Sequence, residues 1–180
     1  RLLARIYHSL GLLSQGQLVE VDRSGLVAGY VGQTAIKTQK VIQKAIGGVL
    51  FIDEAYALNG KSENDFGQEA IDTILKAMED HRDDLVVIVA GYTDLMEQFI
   101  HSNPGLESRF NKYFYFEDYT GPQLMEIFQS MCQKNGYVLS PEAAQWAEQD
   151  FLSLYEGRDE NFGNARDVRN LFEKAVSRQS

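Results

Sequence analysis

Four apolar residues in a row, Val49-Leu50-Phe51-Ile52, run directly into two carboxylates, Asp53 and Glu54. An uninterrupted apolar run of this length suits a central parallel strand covered on both faces by helices. Ligands of such sheets bind beyond the carboxyl ends of the strands, so the two acids would stand where a ligand is met. There, Asp53 can hold a Mg²⁺ ion, directly or through water, while Glu54 polarises a water for attack on a terminal phosphate. The same six residues also read as a strand that ends in a solvated acidic turn.

The rest of the chain supplies a setting for that strand. Residues 85–90, Leu-Val-Val-Ile-Val-Ala, form a second continuous apolar run, Leu18 to Val21 is a short strand candidate, and Tyr113 to Phe116 is another. Ala35, Ile36, Val41, Ile42 and Ala45 predict a helix from Thr34 to Ile46, stopped by Gly47-Gly48. Phe66, Ala70, Ile71, Ile74, Leu75 and Met78 mark an amphipathic helix after a polar loop over residues 59–65. Residues 24–32 read as a glycine-bearing loop. Arg1 to Leu13 carries an apolar stripe of Leu2, Leu3, Ile6, Tyr7 and Leu10 with no capping residue before it, as expected of a helix that starts further upstream. Helix alternating with apolar strand predicts an α/β domain over residues 1–117, a parallel sheet flanked by helices.

From residue 118 to 180 the pattern becomes wholly helical. Thr120-Gly121-Pro122-Gln123 has the spacing of a capping box, and Leu124, Ile127, Phe128 and Met131 follow it at helical intervals. Ser140-Pro141 opens another helix, and from Asn164 onward Val168, Leu171, Phe172, Ala175 and Val176 share one face. Three helices after the last strand candidate predict a small helical lid domain.

Composition removes several classes of function. The 180 residues are 44% hydrophobic and 24% charged, which fits one globular domain or a domain with a small appendage. The formal net charge of −9 disfavours a general nucleic-acid binder, which needs a basic surface to neutralise phosphates. Nothing approaches the run of about 18 apolar residues that a membrane helix needs, and no signal peptide is evident; a cytoplasmic location and no membrane partner are expected. The single cysteine, Cys132, can form no internal disulfide and reads as a core residue beside Met131. His8, His81 and His101 are too scattered to suggest a metal site.

Further residues invite a sharper reading. Gly60-Lys61-Ser62 looks like the tail of a phosphate-binding loop, but Ala55 stands where its first glycine belongs and the tripeptide follows an acidic strand end. We read it as a coincidence. Arg109, after Asn103-Pro104-Gly105-Leu106-Glu107-Ser108, can reach a neighbouring subunit's nucleotide with its permanently charged guanidinium. Pairing with Glu107 or Glu117 is the plainer alternative. Arg166 and Arg169 sit three apart at the start of the last helix, either solvated or turned toward a phosphate. Gly29-Tyr30-Val31-Gly32 places an aromatic between glycines, suited to gripping an extended polypeptide or to packing on its own loop.

In combination, Phe51-Ile52-Asp53-Glu54-Ala55-Tyr56, Gly91-Tyr92, Asn103-Pro104-Gly105, Ser108-Arg109-Phe110 and Gly163-Asn164-Ala165-Arg166 closely resemble the AAA+ ATPases of the CbbX and stage V sporulation protein K group. That group also includes the ATPases of type VII secretion. The resemblance implies an AAA+ P-loop NTPase core followed by its helical lid, with the phosphate loop lying before Arg1. It matches Asp53 and Glu54 to Walker B, Arg109 to the arginine finger and Arg166 to the second sensor. Tyr30 and Val31 correspond to the substrate-gripping pore loop, and residues 59–66 to a second pore loop. Many AAA+ proteins carry an asparagine as first sensor after the strand that is here 85–90, whereas this chain has Gly91-Tyr92-Thr93; either Tyr92 or Thr93 can take the role.

The resemblance implies ATP and Mg²⁺ as ligands, a homo-oligomeric ring, a hexamer, and a protein partner drawn through its pore. A nucleotide-gated scaffold without threading is the alternative. Residues 1–180 alone are expected to lack ATPase activity for want of the phosphate loop. Rubisco activation, sporulation and secretion all lie within the group's range of pathways.

Overall fold

The computed structural model describes residues 1–30, 32–60, 66–159 and 162–179, and the chain divides into two compact units, Arg1–Phe114 and Tyr115–Ser180. In the first unit the elements run α1 (Leu2–Ser9), β1 (Leu18–Val21), α2 (Arg23–Leu26), α3 (Thr34–Ala45), β2 (Val49–Ile52), one tight helical turn (Ala55–Leu58), α4 (Gly67–Asp80), β3 (Val86–Val89), α5 (Thr93–His101) and α6 (Pro104–Arg109).

The three strands form a parallel sheet in the order β1-β2-β3, with Val21 beside Ile52 and Ile52 beside Val89. Strand periodicity hides inside the continuous apolar runs. Leu50, Ile52, Val19, Val21, Val87 and Val89 join one core, shared with Ile42 of α3, Ile71 and Ile74 of α4, Phe99 of α5 and Leu106 of α6. Val49, with Leu18, Val86 and Ile88, joins a smaller core under Ala4 and Tyr7 of α1 and Leu13. Covering on both faces is the reason that no polar residue interrupts β2.

Local chemistry sets most boundaries. α3 gives way where Gly47 adopts a positive φ of 86° and donates its N–H to the Asp84 carbonyl oxygen at 2.7 Å. A side chain on Gly48 would strike the carbonyl oxygen of Gln17, the group that accepts the Val49 N–H at 2.8 Å as β2 begins. α1 stops at Ser9, short of the expected Leu13, because the chain turns at Gly11 with φ of 72°.

The structure departs from the expected elements in three places. Part of the anticipated 24–32 loop is instead α2, whose first turn is capped by Asp22 Oδ1 accepting the Gly25 N–H at 3.2 Å. α5 and α6 were not anticipated; Asn103 caps α6 by accepting the Gly105 N–H at 2.7 Å. Tyr113 to Phe116 is not a strand. Aromatic residues favour a sheet only where a neighbour pairs and packs with them. No described strand pairs with these four, and Phe114 and Phe116 are 81% and 88% exposed.

The second unit consists of α7 (Gly121–Lys134), α8 (Pro141–Glu156) and α9 (Ala165–Gln179). The capping box forms as its spacing requires: Thr120 accepts the Gln123 N–H, and the Gln123 side chain accepts the Thr120 N–H at 2.9 Å. Leu124, Phe128, Cys132, Phe151 and Val168 make the core, with the Phe128 ring edge-on to Phe151 at 5.6 Å and to Phe172 at 6.5 Å. Burial pushes the Cys132 thiol above its ordinary range and away from reactivity.

Leu50→Ala is expected to cost about 2–5 kcal/mol, since a fully buried leucine between two helix layers leaves a cavity. Phe114→Ala, at an exposed ring, should stay within about 0.5 kcal/mol. Denaturant unfolding of the two variants measures both.

Candidate functional site at the carboxyl edge of the sheet

Backbone hydrogen bonds continue the sheet one residue past β2. Asp53 donates its N–H to the Val21 carbonyl oxygen at 2.8 Å, and Ala90 donates to Ile52 at 3.0 Å. Ala55 then turns back and donates to the Ala90 carbonyl oxygen at 3.2 Å. Between these anchors Glu54 is forced into the left-handed region, with φ of 48° and ψ of 47°. For a residue with a side chain that conformation costs about 1 kcal/mol, and such strain concentrates where it positions a functional group. Asp53 Oδ1 accepts the Glu54 N–H at 3.0 Å and helps to hold the turn.

Both carboxylates are exposed and line an open cavity of about 490 Å³, together with Asp22, Arg23, Ser24 and Ala57. Arg23 donates to the Ala57 carbonyl oxygen at 2.7 Å, tying α2 to the turn that follows Glu54. Among the described residues no three His, Cys, Asp or Glu side chains cluster as a self-sufficient metal cage. Magnesium asks for less. It is commonly held by one or two carboxylates, with substrate phosphates and waters completing the shell, and Asp53 fits that donor set.

The end of β3 lies beside this turn. Gly91 leaves room for the Tyr56 ring, since a Cβ there would sit 2.6 Å from Tyr56 Cε1. Tyr92 occupies the position just before α5 without a side-chain capping hydrogen bond and is 62% exposed, and Thr93 is the first residue of the helix. Tyr56 is the residue that sequence reasoning passed over, although it closes the Asp53-Glu54-Ala55-Tyr56 string. Burial, the nearby charge of Glu54 and the neighbouring Tyr92 raise its phenol above the ordinary range.

The other expected residues stand apart from this group. Tyr30 is 74% exposed in a bend before Gly32, whose φ is 75°. Val31 lies outside the described residues, as do residues 61–65 of the expected second pore loop, Lys61 and Ser62 among them. Arg109 ends α6, where its Nη1 donates to the Gly105 carbonyl oxygen at 3.4 Å and its Nη2 stands 3.8 Å from Glu79 Oε2. The ion pair is therefore with Glu79 of α4. Glu107, one of the anticipated partners, instead meets His101 Nδ1 at 3.1 Å. In the second unit Arg166 and Arg169 are both exposed at the start of α9. The approach to that helix is set by Asn164, with φ of 55°, whose side chain accepts the Tyr119 N–H and donates to Asp118.

The profile of the ATPase family associated with various cellular activities (AAA) matches residues 2–118, and that of the AAA lid domain matches residues 120–180. The chain is 44% identical over 182 residues to stage V sporulation protein K of Bacillus subtilis (strain 168), and 46% identical over 179 residues to protein CbbX of Cereibacter sphaeroides. It is also 46% identical over 183 residues to the chloroplastic ribulose bisphosphate carboxylase/oxygenase activase of Cyanidioschyzon merolae. These alignments cover 99–100% of the chain but only 56%, 57% and 61% of the respective relatives, so the chain spans little more than half their length. A crystal structure of the FIGL-1 AAA domain in complex with ADP shares the fold, with a TM-score of 0.58 at 18% identity over 87% of this chain and 50% of that one. Among the described residues no helix is long and apolar enough to cross a membrane.

The Arg109–Glu79 pair is half exposed and loose, so Glu79→Ala should cost less than about 1 kcal/mol of stability in a denaturant titration. A larger loss would mean that the arginine is a structural strut.

Proposed function

The chain belongs to the AAA ATPase family, and on that premise we propose that the protein to which it belongs is a ring-forming ATPase that remodels a protein partner. The observation that carries this reading is the placement of Asp53 and Glu54: adjacent exposed carboxylates at the carboxyl edge of a parallel sheet, with Glu54 in a strained backbone conformation. Two acids so placed divide the work of phosphoryl transfer. Asp53 would hold Mg²⁺, which on binding supplies charge neutralisation to the phosphates. Glu54 polarises a water and takes its proton as the oxygen attacks the γ-phosphorus; the bond to the bridging oxygen breaks, and ADP and phosphate leave.

Tyr92 and Thr93, at the end of the neighbouring strand, are the candidates to sense the γ-phosphate. Arg109 of a neighbouring copy would stabilise the charge that develops in the transition state, and Arg166 would read the nucleotide from the lid. That sharing of residues couples catalysis to assembly, with a hexamer as the proposed state. A relative named as an activase of ribulose bisphosphate carboxylase/oxygenase, itself a protein, supports a protein rather than a nucleic acid as the proposed substrate. The exposed Tyr30 ring is the proposed grip on it.

In the intact protein, Glu54→Gln should lower ATP turnover by at least about a hundredfold while ATP still binds, measured by steady-state hydrolysis and equilibrium binding. Equal turnover in variant and parent would remove the assignment. Tyr30→Ala separates a threading motor from a nucleotide-gated scaffold: the motor keeps hydrolysis and loses remodelling of its partner, whereas the scaffold retains both.

A further inference from the structure

We propose that Arg23 is a positioning residue that braces the turn after Glu54 against the base of the Tyr30 loop, so that the setting of the hydrolytic carboxylate depends on the segment that carries the loop. The inference rests on the reading of Glu54 as the group that polarises the attacking water. Glu54 leaves the sheet with φ of 48° and ψ of 47°, a conformation that persists only where the surroundings enforce it. One restraint comes from β3, where the Ala90 carbonyl oxygen accepts the Ala55 N–H at 3.2 Å. A second comes from within the turn, as the Ala57 N–H reaches back to the Glu54 carbonyl oxygen at 2.8 Å. Ala57 is then held from its other side, because its own carbonyl oxygen accepts a hydrogen bond from Arg23 Nη1 at 2.7 Å. Carbonyls at the end of a helical turn carry partial negative charge, and a guanidinium that meets one makes a charge-assisted hydrogen bond, stronger than a neutral one.

A brace works only if its far end is fixed, and α2 is pinned along its length. Its four residues are too few to hold a helical turn unaided. Asp22 caps its start, and three side chains of α3 take up the backbone that follows. Lys37 Nζ donates to the carbonyl oxygens of Ser24 at 2.6 Å and Val27 at 2.9 Å, Thr38 Oγ1 donates to that of Leu26 at 3.0 Å, and Thr34 Oγ1 accepts the Ala28 N–H at 3.0 Å. Thr34 and Thr38 are fully buried, and these bonds are what their hydroxyls find there. Tyr30 follows Ala28 across Gly29 alone. Arg23 also approaches the start of α4: a methyl group on Gly67 would strike the Leu58 carbonyl oxygen and come within 3.0 Å of Arg23 Nη1. The guanidinium therefore stands where α2, the turn after Glu54 and the first residue of α4 meet, on the wall of the cavity that both carboxylates line. A displacement of α2 is passed to Ala57, and through Ala57 to the backbone of Glu54.

The test is a double-mutant cycle in the intact protein, read as ATP hydrolysis and ATP binding. Arg23→Met keeps an aliphatic stem and removes the donors, Lys37→Met loosens α2 from α3 without touching the turn, and Glu54→Gln is the control. Arg23→Met should lower kcat roughly tenfold or more while the ATP Kd stays within about twofold, since the brace sets a reacting group rather than a binding one. Lys37→Met should lower kcat about three- to tenfold in the parent but less than about twofold in the Arg23→Met background, because both act on Glu54 through one hydrogen bond. Losses that multiply in the double variant overturn the brace, as they would show that α3 and Arg23 act independently. Parent-like kcat in Arg23→Met, with Glu54→Gln inactive, also overturns it and leaves the function of Glu54 intact. Full turnover in Glu54→Gln overturns the reading on which it rests, so the two failures are told apart. Should Arg23→Met not unfold cooperatively, Lys37→Met and Thr38→Val decide alone: a lowered kcat at unchanged ATP Kd upholds the brace, and parent-like kcat in both overturns it.

Discussion

The in-line register of the three parallel strands is the constraint on which the site depends. Val21, Ile52 and Val89 stand side by side, so the chain leaves the sheet at one level three times, and Asp22, Asp53 and Ala90 emerge as neighbours. A slip of one residue in β2 would turn Leu50 and Ile52 out of the main core and Val49 and Phe51 toward it. Fully buried Leu50 and Ile52 make that slip expensive. The position of the carboxylates is therefore enforced by side chains that never touch them. The strain at Glu54 is sustained in the same way, by hydrogen bonds from Asp53 and Ala55 to flanking strands that the core holds still.

This division of labour explains what the sequence disclosed. β1 and β2 were legible to the residue, and β3 to within one residue at each end, because a strand buried on both faces must be apolar throughout. The start of α7 was legible because a capping box is closed by residues within four positions of one another. α2 escaped notice because a single turn leaves no periodicity, and its signal was the Asp22 cap alone. α5 does carry Leu95, Met96, Phe99 and Ile100 at helical spacing, but its nine residues give the pattern little length in which to repeat. Tyr113 to Phe116 misled in the opposite direction. Composition reports what a residue would do beside a partner strand, and the partner is a property of the fold.

The site shows the same boundary between local and distant information. Asp53 and Glu54 could be singled out because two acids directly after an apolar run fall at the carboxyl edge of a sheet, although the same residues also read as a solvated acidic turn. Tyr56 could be quoted as part of a motif but not given a role. The seat of its ring depends on the absence of a side chain at Gly91, which follows a different strand. The partner of Arg109 was missed for a related reason. Glu107 and Glu117 were close in sequence, whereas Glu79 is brought to it by the packing of α4 on α6.

On the proposed reading, the looseness of Arg109 has a physical rationale. An arginine that must serve a neighbouring copy should be held by its own copy only enough to be aimed, because any stronger pair would have to be broken at each assembly. A half-exposed contact at 3.8 Å meets that condition, and the carbonyl oxygen of Gly105 supplies a second weak restraint. The acidic character of the chain does not oppose such an assembly at long range, since salt screens exposed charges beyond about 8 Å at physiological ionic strength. Within that distance it does matter. A triphosphate approaching Asp53 and Glu54 meets like charge, and without a cation the two carboxylates would repel the substrate on which they act. On that reading, magnesium on one side and an arginine from a neighbour on the other would offset the like charge of a site built on two acids, and the second of them would make a single copy an incomplete enzyme.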